Sequence, residues 1–324
     1  MSNSNEHFQF TDERFADLQM LRYRLNGFED LTLSQQIYIY CLAKATLMGR
    51  DITFDQQGKY NLRIRKTLEA IYKHYDGDRT SDDFKALEVY LKRVWFSSGI
   101  YHHYGCEKFK PGFSEHFFYE AVSLMPETEL PLRRGETKED LLDELVPVIF
   151  DEEVLPKRVN QTDGVDLVAT SACNFYEDVT QDEVERFYAR LKDGEDLTPP
   201  SYGLNSKLMK RNGEIVEKTW KEEGMYGSAI KEIISWLLKA QKYTENEQQA
   251  HVIDLLIKYY RTGDLSDFDR YSIAWVKQQE GMVDFINGFI EVYGDPLGLK
   301  GTWEGLVEFK DMEATRRTQA ISQN

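Results

Sequence analysis

The stretch that most constrains what this chain can fold into covers residues 271–309, YSIAWVKQQEGMVDFINGFIEVYGDPLGLKGTWEGLVEF. Trp275, Met282, Phe285, Ile286, Phe289, Ile290 and Tyr293 recur at helical spacing, which predicts a helix with one apolar face. That helix is expected to run into GFIEVYGDPLG, where Pro296 drives Asp295 out of the helical region and Gly294 and Gly298 permit sharp turns. Two carboxylates, Glu291 and Asp295, and the phenol of Tyr293 thus arrive together where a helix stops. Such a break can aim polar groups into a cleft while the opposite face stays buried.

The rest of the chain reads as mostly helical. Thr11 is a plausible cap for a first helix with Phe15, Leu18, Leu21 and Leu25 on one face. Further helices are predicted from Thr32 or Ser34 to Gly49 and over residues 62–75, 82–96, 114–124 and 138–146, with charges between apolar stripes. VDLVATSACNFY, residues 165–176, is a strand candidate, and residues 181–192 return to helix. The clearest β-hairpin covers 206–220, with Asn212-Gly213 as its two-residue turn. Two long helices are predicted over 226–243 and 245–261, and Trp220, Trp236, Trp275 and Trp303 fit core packing. The expected class is α+β, predominantly helical with a small sheet. Its parts are a mainly helical 1–150, a strand-containing 151–225 and a helical 226–324, forming one lobe overall.

Composition excludes several functions. A formal net charge of −16 argues against a nucleic-acid partner, which needs a basic face. No 18-residue apolar run predicts a membrane span. The opening MSNSNEHFQF has neither a positive n-region nor an apolar h-region, so no signal peptide is expected. Cys41, Cys106 and Cys173 are odd in number and widely spaced, which favours a reducing, cytoplasmic setting. Cys41 reads as a small core residue.

Metal chemistry has little support in the residues. His7, His74, His102, His103, His116 and His251 include no HExxH pair. His102, His103 and Cys106 form a local cluster with His116 nearby, yet adjacent histidines point to different faces and suit one metal poorly. No G-x-S-x-G elbow, P-loop or dinucleotide fingerprint is present. On residues alone, Glu291 reads as solvated, Tyr293 as packed under the helix end and Asp295 as a turn cap.

Gly288, Phe289, Glu291, Tyr293, Asp295, Pro296, Gly298, Glu304 and Gly305 stand at fixed spacing. Together they resemble the Gly-Phe-x-Glu-x-Tyr-x-Asp-Pro-x-Gly element and following Glu-Gly of the dipeptidyl peptidase III family of zinc metallopeptidases. The Gly-punctuated aromatic loop at 95–113, with Lys108, Phe109 and Pro111, is similar to a second family segment. The resemblance implies an enzyme with two lobes around a wide cleft, releasing dipeptides from the N-terminus of oligopeptides with a zinc-activated water. This chain would be most of the lobe without zinc, with a small barrel-like sheet. Glu291 would receive the peptide N-terminus and Tyr293 would stabilise the transition state. The family's His-Glu-x-x-Gly-His motif has no counterpart here, and the chain stops within a charged, helix-like stretch. The expectation is therefore a fragment that binds no metal and is inactive without a missing C-terminal zinc lobe. Two other readings are a non-catalytic peptide-binding or scaffold protein, and a hydrolase using carboxylates around Asp295.

Overall fold

The computed structural model describes residues 8–192 and 194–323. His7, one of the histidines weighed above, lies outside them. The described chain opens with an antiparallel hairpin, β1 (Thr11–Phe15) and β2 (Leu18–Leu21), where the sequence predicts a helix. The helix fails for want of a partner surface: Leu21 and Leu25 are 53% and 65% exposed, so its apolar stripe would bury little. Ala16 instead takes a left-handed turn conformation, and Lys92 and Arg93 hold Glu13 and Asp17.

Helices α1 (Leu33–Met48) and α2 (Arg50–Gln56) follow, with Thr32 capping α1 through a reciprocal box with Gln35. Next come α3 (Asn61–His74), α4 (Asp82–Ser97), α5 (Glu115–Leu124) and α6 (Lys138–Phe150). Ser81, Ser114 and Thr137 each accept a hydrogen bond from the third helical amide, which fixes where α4, α5 and α6 begin. The inner faces of α3–α6 share one core, with Ile64, Leu68, Leu91, Phe118 and Leu145 fully buried.

Residues 165–176 are mainly turns, and only β3 (Tyr176–Glu177) is extended. After α7 (Gln181–Ala189), β4 (Ser206–Arg211) and β5 (Glu214–Thr219) form the predicted hairpin. Asn212 and Gly213 both have positive φ, as a tight two-residue hairpin turn requires. β3 pairs in parallel with β4, so the strand read over 165–176 is confined to the residues that have a partner.

Helix α8 (Gly227–Ala240) lies against α1, while α9 (Glu247–Thr262) and α10 (Leu265–Lys277) pack together across the Gly263-Asp264 break. The helix expected through residue 293 stops at Lys277. Val283–Phe289 is strand β6, antiparallel to β7 (Trp303–Phe309), in register from Val283 opposite Phe309 to Phe289 opposite Trp303. Val283, Phe285, Asn287 and Phe289 are all buried, a period-two face, and Gly281 at φ 98° separates helix from strand. α11 (Met312–Ser322) follows with no buried residue.

The predominantly helical α+β class therefore holds. Its sheets are small and open, ordered β1-β2, β3-β4-β5 and β6-β7. Among the described residues none closes into the barrel-like sheet implied by the resemblance, because closure requires every strand to pair on both edges. A second core joins α1, α8, α9 and the β6–β7 hairpin. At its end, the Phe289 ring packs tilted against Trp220 and edge-on against Trp303, with centroids 4.7 and 5.5 Å apart. A Cβ at Gly49 would fall 1.8 Å from the Trp303 ring, so the α1–α2 junction depends on glycine for this approach. Among the described residues no helix is long and apolar enough to cross a membrane.

Candidate functional site

The loop over residues 290–302 connects β6 to β7 and carries the carboxylates and phenol singled out in the sequence. Ile290 N–H donates to Thr302 O at 3.1 Å and Thr302 N–H to Glu291 O at 2.8 Å, extending the ladder past the strand ends. Gln56, fully buried on α2, donates to Gly301 O and accepts from Trp303 N–H. Gly301 N–H donates to Leu204 O at 2.7 Å. Leu297 and Leu299 rest on a third apolar cluster built from Val168, Val179, Val184, Tyr188 and Leu208. Both ends of the loop are thus pinned to packed elements.

Asp295 is the hub of the loop and is 1% exposed. Its Oδ2 accepts from Leu299 N–H (2.8 Å), Lys300 N–H (3.0 Å) and the Tyr176 hydroxyl (2.8 Å), and its Oδ1 from Leu297 N–H (3.2 Å). Burial pushes its pKa up against these hydrogen bonds. The turn-cap reading of Asp295 matches this geometry. A carboxylate whose oxygens are occupied by four donors has little capacity left for a reacting group.

Glu291 and Tyr293 face the opposite way. Glu291 is exposed, and Tyr293 is 72% exposed rather than packed under a helix end. Glu304, on β7 opposite Gly288, turns outward where its neighbour Trp303 turns inward, and accepts from Glu291 N–H at 3.2 Å. Burial and then the adjacent Glu291 carboxylate push the pKa of Glu304 up. The Tyr293 phenol is likewise raised, by burial first and then by Glu304 and Glu291. The phenol thus stays a donor beside two acidic side chains, for which no ion pair is found among the described residues. Glu304 belongs to the quoted sequence pattern, but its side-chain role emerges only when β6 and β7 pair.

Tyr293 also borders an open pocket of about 850 Å³, walled opposite by the 103–106 turn and residues 157–162. His102 and His103 lie in this turn with rings stacked at 4.5 Å. His102 Nδ1 accepts from Tyr104 and Gly105 N–H, so its lone pair serves the turn. Burial, then His102 and Arg158, lower the pKa of His103. Among the described residues no three His, Cys, Asp or Glu side chains converge as metal ligands, and His116 stands apart on exposed α5 surface. These residues do not fit a zinc ion.

Beneath the loop, the fully buried Lys300 donates to the Tyr188 hydroxyl and, at 3.1 Å, to Ser206 Oγ. Both hydroxyls donate in turn to Glu217 on β5. Burial lowers the Lys300 pKa to about 8. A lysine whose folded pKa lies below its unfolded one makes folding more favourable as pH rises from about 8 towards 10.5, because only the unfolded chain then stays protonated there. Chemical denaturation of the wild type is expected to show a gain on the order of 1–2 kcal/mol between neutral pH and pH ~9.5, before tyrosine ionisation reverses it. Lys300→Met should remove that gain, and an unchanged pH slope would contradict the assignment.

The fold and this loop define the class as an α+β chain whose β6–β7 loop presents an outward acidic edge. Comparison with known proteins makes the relationship specific. Residues 202–324 match the profile of peptidase family M49. Dipeptidyl peptidase 3 of Dictyostelium discoideum is 21% identical over 93% of the chain, and that of Homo sapiens is 23% identical over 87%. The chain spans 45% and 42% of those proteins, less than half their length. The structure of DPP III from Caldithrix abyssi superposes on 92% of the chain with a TM-score of 0.59 at 17% identity, using 43% of that protein. The dipeptidyl peptidase III resemblance seen in the loop thus extends over most of the chain, and the shared fold is that of one part of the larger structure.

Proposed function

We propose that this chain is the substrate-side lobe of a dipeptidyl peptidase III-like enzyme that removes dipeptides from the N-terminus of oligopeptides. The observation that carries the reading is the outward pair Glu291 and Glu304 beside the protonated Tyr293 phenol, mounted on a loop fixed by Asp295. A carboxylate can hold a free α-ammonium through a charge-assisted hydrogen bond, and Glu291 takes that role. Tyr293, which stays neutral, donates to the oxyanion that develops at the scissile carbonyl. Zinc, implied by the family resemblance, would supply an activated water in such an enzyme. The chain's own part is to bind, orient and stabilise the peptide in a cytoplasmic setting.

The test is release of N-terminal dipeptides from a free-amine oligopeptide with zinc added. The chain alone is expected to show no turnover. Activity should appear when the zinc-bearing portion of a related dipeptidyl peptidase III is supplied, and Tyr293→Phe should lower kcat by about 10- to 100-fold with little change in binding. Zinc-dependent turnover by the chain alone would overturn the division of labour. Tight Glu291-dependent binding with no turnover under any complementation would favour a non-catalytic peptide-binding protein.

A further inference from the structure

The pocket beside Tyr293 contains the guanidinium of Arg158, which has no anionic partner among the described residues. Arg63, Arg65 and Arg93, the other arginines whose side chains are largely covered, each hold a carboxylate within 3 Å. Arg158 is half-buried, and among the described residues it pairs with none. Its Nη2 donates to His103 O at 3.2 Å and lies 3.5 Å from Cys106 Sγ, while its Nε is buried without a partner. A half-desolvated cation in this state has lost water without gaining a counter-charge, which makes an external anion its natural complement.

The backbone mounts Arg158 firmly. Its N–H donates to Cys106 O at 2.9 Å and its carbonyl accepts from Cys173 N–H at 3.0 Å, so it is clasped between two segments. Lys157 lies beside it at the pocket rim, and Tyr293 lines the same pocket. The charge of Arg158 reaches the Tyr293 phenol, as do those of Glu291 and Glu304, so cationic and acidic poles flank one side chain. A carboxylate suits a guanidinium better than other common anionic groups of peptides, since the planar fork can hold both oxygens. The net charge of −16 repels acidic ligands at long range, so recognition must come from this contact.

We propose that Arg158, with Lys157 at its rim, is a carboxylate-binding subsite, so that the cleft favours peptides carrying a carboxylate close to their N-terminus. This rests on the reading that Glu291 receives the free amine. The carboxylate can come from an acidic side chain in the leading residues or from the C-terminus of a very short peptide.

Cys106 supplies a local reporter, because Cys41 and Cys173 are buried while Cys106 is partly open. The rate of Cys106 alkylation by iodoacetamide would be followed on the whole chain with three probes that lack a free amine. Acetyl-aspartate amide carries only a side-chain carboxylate, acetyl-alanine only a terminal one, and acetyl-asparagine amide neither. At least one carboxylate probe is expected to slow alkylation severalfold, and the effective probe identifies the source. Protection should be lost in Arg158→Gln and partly kept in Arg158→Lys, with thermal melts showing that both variants fold. Equal rates with all three probes, or protection that persists in Arg158→Gln, would overturn the subsite. Protection by a carboxylate combined with peptide binding indifferent to a free amine would keep the subsite and remove the reading it rests on.

Discussion

Asp295→Ala is expected to lower the folding stability of the chain by roughly 3–5 kcal/mol, the largest effect of any single change in the loop. The substitution leaves the amides of Leu297, Leu299 and Lys300 and the Tyr176 hydroxyl without their acceptor. Each buried donor left unsatisfied costs about 1–3 kcal/mol, and partial access of water to the loop keeps the sum below full additivity. Asp295→Asn retains one oxygen, which in the Oδ2 position still accepts from three donors and leaves the amide group facing Leu297 N–H alone, so a smaller loss than for alanine is expected. Urea denaturation midpoints at constant m-value read both changes. A loss under about 1 kcal/mol for the alanine variant would show that the loop does not depend on this hub. The same pair of variants tests the reading in which Asp295 is a catalytic carboxylate: metal-independent hydrolysis abolished by Asp295→Asn in a stably folded chain would revive it.

The second large effect is on binding. Glu291→Ala should weaken a free-amine oligopeptide by about 10- to 100-fold, the value of a charge-assisted hydrogen bond of roughly 1.5–3 kcal/mol. Glu291 is exposed and its backbone rather than its side chain holds the loop, so unfolding curves should barely move. Glu304→Ala is expected to act in the same direction but less strongly, because burial and the Glu291 charge already favour its protonated form. The effect should shrink with added salt, since an exposed ammonium–carboxylate contact is screened. Unchanged affinity in Glu291→Ala, measured calorimetrically, would remove the amine-recognition role.

Much of the fold is legible in the sequence where a single local signal decides the outcome. Thr32, Ser81, Ser114 and Thr137 mark helix starts by their caps, and Asn212-Gly213 marks a hairpin by the φ values it tolerates. The misreadings arise where a partner decides. Residues 283–290 carry apolar groups at both helical and alternating spacing, and only pairing with β7 selects the strand. Asn287 interrupts the apolar alternation in the sequence, and its burial on that face depends on accepting from the Tyr260 hydroxyl at 2.6 Å. Of residues 165–176 only Tyr176 gains a strand partner, and residues 11–25 carry a helical stripe with nothing to cover it.

The site divides in the same way. Glu291, Tyr293 and Asp295 stand out by type and spacing, and the structure sends the first two outward and the third into the core. Arg158 gives no sequence signal, because its interest lies in the carboxylate that is missing around it. Lys300 is similarly silent, a single lysine before a glycine until burial places it on two hydroxyls.

The most direct measurement compares binding of one oligopeptide to this chain with its N-terminus free and with the same N-terminus acetylated. Recognition of the α-ammonium by Glu291 predicts that the free-amine form binds about tenfold or more tightly, and that the difference disappears in Glu291→Ala. Equal affinity for the two forms in the wild type would contradict a substrate-side lobe built to receive a peptide N-terminus.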